Sequence, residues 1–142
     1  MALVLADVGA DTILNAFFNN AWPAGGKNLT IKFFTNDYTP VDTSITGSFT
    51  EASGGGYAAK TLSNGSWTVN AANDPSDAVY AEQTWTFTGP LIGGASIYGY
   101  YILDADDVLV WAERLPAAFT PANNGDVLKI TPKFQMSKGI PT

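Results

Sequence analysis

The side chains able to do chemistry are few, and their types close off most mechanisms. The chain has 142 residues with no histidine and no cysteine. A nucleophilic relay therefore lacks an imidazole base. Disulfides, thiolate chemistry and Cys or His metal sites are excluded as well. What remains is carboxylate. Asp104, Asp106 and Asp107 alternate closely enough to suggest a calcium loop, but such a loop also needs glycine at its sixth position and glutamate at its twelfth. Counting from Asp104, those positions are Leu109 and Leu115. The group reads instead as a solvated turn whose aspartates bond their own backbone. Glu82 and Glu113 form a second grouping. Paired carboxylates run glycoside hydrolysis at defined separations, and Trp85 and Trp111 would line a sugar groove. Nothing in the spacing brings the two acids together, and Arg114 offers Glu113 an ordinary ion pair. Ser53-Gly54-Gly55-Gly56-Tyr57 lacks the Gly-Lys-Ser/Thr and the following helix of a phosphate loop. It reads as a flexible hairpin loop. The expectation is a protein with no catalytic, cofactor-binding or metal-ligating residues, that is, no enzyme and no cofactor.

The aromatic load is the other candidate. Trp22, Trp67, Trp85 and Trp111, with Tyr98, Tyr100 and Tyr101, would serve as a carbohydrate-stacking platform or as core and interface filling, the commoner use of large rings. In an extended strand Tyr98 and Tyr100 share one face and Tyr101 takes the other. Both faces of that strand are then aromatic and must be covered twice, by its own core and by a loop or partner subunit. Subunit contact is the favoured reading.

The elements that would hold these residues are mostly strands. Hydrophobic residues make up 46% of the chain and charged residues 14%, against a usual ~25% charged. That is ample for one domain with one core, and the low charge suits a surface partly covered by other chains. The net charge is −6, and the 7 Lys and Arg are scattered singly, which argues against a nucleic-acid partner. No apolar run is long enough for a membrane span. The opening residues, reaching Asp7 without a basic stretch, do not read as a secretory signal. A helix is expected over about 7–20, with Asp7 as its cap and Ile13, Leu14, Phe17 and Phe18 on a single apolar face. Ala2, Leu3, Val4 and Leu5 precede it as an apolar arm that tucks under the domain or reaches a neighbour.

After the helix, strands are expected over 29–34, over a broken segment from 49 to 62, at 67–69, over 79–88, at 97–103 and 108–115, and over 126–136. Asn64-Gly65 signals a type I′ hairpin. Val79, Ala81, Gln83, Trp85 and Phe87 line one face of a single long strand. Residues 104–107 close a hairpin. Gly99 leaves room for a neighbouring ring or marks a bulge, and Pro132 places the end of the last strand at an edge or bulge. Residues 137–142 should be a loose tail. Seven or eight short strands and one helix predict a mainly β fold, a sandwich or jelly-roll-like antiparallel domain.

The order and spacing of several segments carry a resemblance. They are Phe33-Phe34-Thr35-Asn36-Asp37-Tyr38-Thr39-Pro40, Phe49-Thr50-Glu51-Ala52, Tyr57-Ala58-Ala59-Lys60-Thr61-Leu62, Trp67-Thr68-Val69 and Tyr80-Ala81-Glu82-Gln83-Thr84-Trp85-Thr86-Phe87. Ile97-Tyr98-Gly99-Tyr100-Tyr101, Trp111-Ala112-Glu113-Arg114 and Asn124-Gly125-Asp126-Val127-Leu128-Lys129-Ile130-Thr131-Pro132-Lys133-Phe134 follow. Together, from the helix to Met136, they resemble small virion structural proteins of tailed bacteriophages. The resemblance contains no catalytic motif. It implies a particle component assembled in the host cytoplasm, and a capsid decoration or cement protein is the leading expectation. Its partners would be the major capsid protein and copies of itself, with a trimer favoured. The same resemblance fits a tail, neck or fibre-adaptor subunit, and the aromatic load leaves a carbohydrate-binding module as a further alternative. On the cement reading, the interface would draw on Ala2, Leu3, Val4, Leu5, Tyr98, Tyr100 and Tyr101.

Overall fold

The computed structural model describes residues 7–19 and 28–136, with side chains from residue 13 onward. The elements are α1 (Asp7–Phe18), β1 (Leu29–Phe34), β2 (Lys60–Leu62), β3 (Thr68–Asn70), β4 (Ser76–Val79), β5 (Gln83–Thr86), β6 (Ile97–Leu103), β7 (Leu109–Phe119), β8 (Val127–Ile130) and β9 (Lys133–Met136). The fold is mainly β, with antiparallel pairings and one α-helix among the described residues, as the strand spacing predicts. The arm Ala2, Leu3, Val4 and Leu5, Trp22 and the tail 137–142 lie outside the described residues. The chain divides into two compact units rather than around one core. One comprises Met1–Lys27, Ser63–Gln83 and Ile130–Thr142, and the other Asn28–Leu62 and Thr84–Lys129.

In the first unit α1 accompanies a three-stranded sheet of order β3-β4-β9. The helix starts at Asp7, but its apolar residues do not share one face. Leu14 and Phe18 are buried, whereas Ile13 and Phe17 are 49% and 44% exposed. At 3.6 residues per turn each i, i+4 pair forms its own stripe, and only one stripe points inward. The Phe18 ring lies 4.5 Å from Trp67 and 5.6 Å from Phe134, and Trp67 lies 5.1 Å from Tyr80.

Asn64-Gly65 does not make the expected hairpin, because β2 and β3 belong to different sheets. Only Gly65 has positive φ (81°), whereas a type I′ turn needs it at both central residues. The turn closes the helix instead. A helix end leaves carbonyls without intrahelical donors, and the Gly65 amide donates to the Phe18 carbonyl at 3.0 Å. The Asn19 side chain also donates to the Trp67 carbonyl and accepts from its amide, at 3.1 and 3.2 Å.

The long strand expected over 79–88 is two strands, β4 and β5, broken at residues 80–82. The Tyr80 amide makes the last bond in the β4–β9 register, to the Pro132 carbonyl at 2.9 Å, and Pro132 has no amide with which to carry the pairing further. The last strand is likewise two, β8 and β9. Pro132 sits at the break, and β9 lies at the edge of its sheet.

In the second unit a four-stranded sheet has the order β2-β1-β6-β7. Apolar residues run almost continuously along β6, the pattern of a strand covered on both faces, whereas β1 alternates before ending in Phe33-Phe34. On one face Phe34, Tyr101 and Leu103 are covered by Phe49, whose ring stacks on Tyr101 at 4.8 Å and 10°. On the other, Phe33 packs 4.4 Å from Trp85, whose indole N–H donates to the Ala58 carbonyl at 2.8 Å. The Gly54-Gly55-Gly56 segment is no loose loop. All three glycines have positive φ (82°, 57° and 75°). The Gly55 carbonyl accepts from the Thr88 amide at 2.9 Å, and a Cβ on Gly55 would come within 2.9 Å of the Pro90 carbonyl oxygen. Only glycine permits that approach.

Candidate functional site

The aspartates at residues 104–107 close the β6–β7 hairpin. The Asp104 carboxylate accepts the amides of Asp106 and Val108 at 2.8 and 3.0 Å, and Asp107 has φ 60°. This is the self-bonded turn expected of them. No group of three or more acidic residues among the described residues is arranged to hold a metal ion.

Glu82 and Glu113 do not form a cross-strand pair. Glu82 lies in the break between β4 and β5, outside any strand, and the residue opposite Glu113 is Tyr100 of β6. The Tyr100 hydroxyl donates a short hydrogen bond to the Glu113 carboxylate. Burial, then the hydrogen bond to Glu113 and its charge, push the Tyr100 phenol well above its ordinary value, against a smaller opposite effect of a hydrogen bond with Trp111. Arg114 is not Glu113's partner either. It pairs with Asp37 at 2.6 Å, donates to the Tyr38 carbonyl at 2.9 Å, and lies 5.3 Å from the Tyr98 ring centre.

The three tyrosines divide differently from the alternation. Tyr100 and Tyr101 are each 3% exposed, on opposite faces of β6 and covered by their own chain. Burial, then the charges of Glu51 and Asp107, push Tyr101 up to about 12. Tyr98 packs with the Tyr101 cluster, not on the side of Tyr100. The cause is a register shift. Ile97 pairs with Phe119 but Gly99 with Arg114, so β7 carries three extra residues opposite Tyr98 and strict alternation ends there. Tyr98 keeps partial exposure and is the member of the trio with surface left to offer. Of the tryptophans, Trp67 and Trp85 are buried and Trp111 is half-buried, so the first two cannot present a stacking platform.

A groove that the sequence reading overlooked lies beside β7. It has a volume of about 400 Å³ and is walled by residues 40–44 on one side and 109–112 on the other. Strand β7 is the outermost of its sheet. A second register shift, with Ile102 paired to Trp111 and Leu103 to Leu109, leaves Val110 as an extra residue at its start. Val41, Ile45 and Val108 stand at the surface nearby, 55%, 67% and 58% exposed. The Thr46 hydroxyl, donating to the Asp107 carbonyl at 3.0 Å, ties the two loops that carry them. The signal was present in the sequence as two isolated aliphatics, Val41 and Ile45, in an otherwise Thr/Ser-rich connection.

Comparison with known protein families, with curated proteins and with solved structures finds no match.

Proposed function

We propose that this chain is a non-enzymatic structural subunit of a tailed-phage particle, specifically a decoration protein that binds the outer head shell and cements it. The motif order described above supports the particle assignment. The observation that carries the docking role is the contrast between its polar and apolar groups. The polar side chains best able to act are engaged in holding the fold: Glu113 by Tyr100, Arg114 by Asp37, and Asp77 by Asn70, Asn73 and Lys133. Large aliphatics stand at the surface instead, at Val41, Ile45, Ile92, Val108 and Val127. Val41, at the groove beside β7, with Ile45 and Val108 on the loops that flank it, suits contact with other proteins better than chemistry. The burial of Trp67 and Trp85 weighs against a sugar-stacking role.

Sedimentation velocity of the purified chain, followed by cosedimentation with emptied head shells, tests the reading. A trimer that binds shells saturably and cooperatively is expected. A monomer that ignores shells and changes its tryptophan fluorescence with a glycan would replace the proposal with a carbohydrate-binding module. Binding confined to tails would move the subunit there.

A further inference from the structure

Strand β7 runs for eleven residues at the edge of its sheet, and among the described residues β6 is the only strand paired with it. An edge strand offers a row of backbone donors and acceptors to any extended chain. Here two features limit where such a chain can lie. The extra residue at Val110 interrupts the ladder at one end. At the other, Pro116 has no amide to donate. Between them residues 112–115 leave an edge stretch of roughly 13 Å, the span of a four-residue strand. The groove walled by residues 40–44 runs along the start of this stretch. Its volume of about 400 Å³ is room for an aliphatic or aromatic side chain, and Pro40, Val41, Leu109 and Val110 supply apolar lining.

The charges around the groove specify the occupant. Asp42 lines it, and Asp104, Asp106 and Asp107 form the turn immediately before its other wall. The cations carried by β1 and β7 do not offset them, because Lys32 is paired with Glu51 at 3.0 Å and Arg114 with Asp37 at 2.6 Å. A second copy of this chain would bring the same acidic rim against itself, on top of a net charge of −6.

We propose that the β7 edge and its flanking groove are a strand-addition site for a segment of a different protein, an extended stretch of alternating apolar residues with Lys or Arg at the end that lies beside the groove. Main-chain hydrogen bonds to β7 supply the pairing, one side chain fills the groove, and the basic end meets the acidic rim. The surface stands on its own geometry and does not require the virion reading.

The test is titration of the isotope-labelled full chain with a synthetic heptapeptide of alternating valine and threonine, amidated and carrying lysine at both ends. Amide shifts confined to residues 40–44 and 109–115 are expected. The same peptide with glutamate ends should bind at least about fivefold more weakly at low salt, and that difference should fade in 0.5 M salt. The exposed-loop variant Asp42→Lys should narrow or reverse the preference while keeping the spectrum of the folded chain. Absence of shifts on β7 at millimolar peptide, or shifts centred on another strand, would overturn the site. Equal binding of the two peptides would overturn the basic partner. A dimer that blocks the edge against peptide would show that the occupant is a second copy.

Discussion

Replacing Gly99 with alanine should cost the second unit about 2 kcal/mol. Gly99 lies in the middle of β6, opposite Phe34 on one side and Arg114 on the other. A Cβ there would fall on the Glu113 carbonyl oxygen and 2.5 Å from two atoms of the Phe34 ring. The ring cannot swing clear, because Phe34 is fully buried and packs 5.1 Å from Phe49. The carbonyl belongs to the paired strand, so moving it breaks the β6–β7 ladder. Overpacking of this kind costs roughly 1–3 kcal/mol, and a backbone obstacle places it at the upper end. Alanine returns roughly 0.5–1 kcal/mol in strand entropy, which leaves ~2 kcal/mol. In a unit of this size that is a fall of about 10 °C in Tm. Thermal unfolding by circular dichroism, with hydrogen exchange of the β6 and β7 amides, reads it. Gly47→Ala is the control. The nearest atom to a Cβ there is Ile45 Cδ1 at 3.9 Å, so the change should stay within ~0.5 kcal/mol. A Gly99→Ala protein as stable as the wild type would refute the close approach of Phe34 and the register that produces it.

Three further outcomes follow from the same structure. Burial pushes the Asp77 carboxyl up, but hydrogen bonds from Asn70, Lys133 and Asn73 outweigh it and hold the group below its ordinary range. Its stabilisation is therefore present above the unfolded value of ~3.9 and lost as pH falls through the folded one. Asp77→Asn should cost ~1–3 kcal/mol at pH 7 and progressively less below pH ~4, read from exchange of the β3, β4 and β9 amides; parallel pH profiles for the two proteins would contradict this. Tyr57, Tyr100 and Tyr101 are all raised, chiefly by burial. The stability tied to their neutral forms is full below the unfolded value of ~10 and lost as pH rises from there through the folded values. Ultraviolet titration should show part of the tyrosine absorbance delayed until unfolding, and complete ionisation near pH 10 in the folded chain would contradict it. Phe49→Ala removes the ring that covers Tyr101, Phe34 and Tyr38 and should cost ~3–5 kcal/mol in denaturant unfolding.

The legible parts of the fold were those in which local pattern and tertiary packing agree. Alternation in β1 and the turn aspartates between β6 and β7 depend on near neighbours and appear as the residues imply. The room for a ring at Gly99 is legible from its own missing side chain, although the ring, Phe34, comes from β1. The departures come from partners distant in sequence. Asn64-Gly65 carries a hairpin signal, but an unsatisfied carbonyl at the end of α1 captures it. The run from Val79 to Thr88 alternates without interruption, yet the pairing with β9 stops at Tyr80, opposite Pro132, which has no amide to donate. Tyr98 changes sides because β7 carries three extra residues opposite it, which no alternation within β6 can announce. The candidate site was the least legible part. Val41 and Ile45 are unremarkable in a polar loop until the fold sets that loop beside an open strand edge.

The most direct test of the proposed function is the copy number of this chain in purified particles, relative to the major head protein, by quantitative mass spectrometry. A number comparable to the head protein is the predicted result for a shell decoration. A number far below it would contradict decoration in favour of the tail or neck, and absence from the particle would overturn the virion assignment.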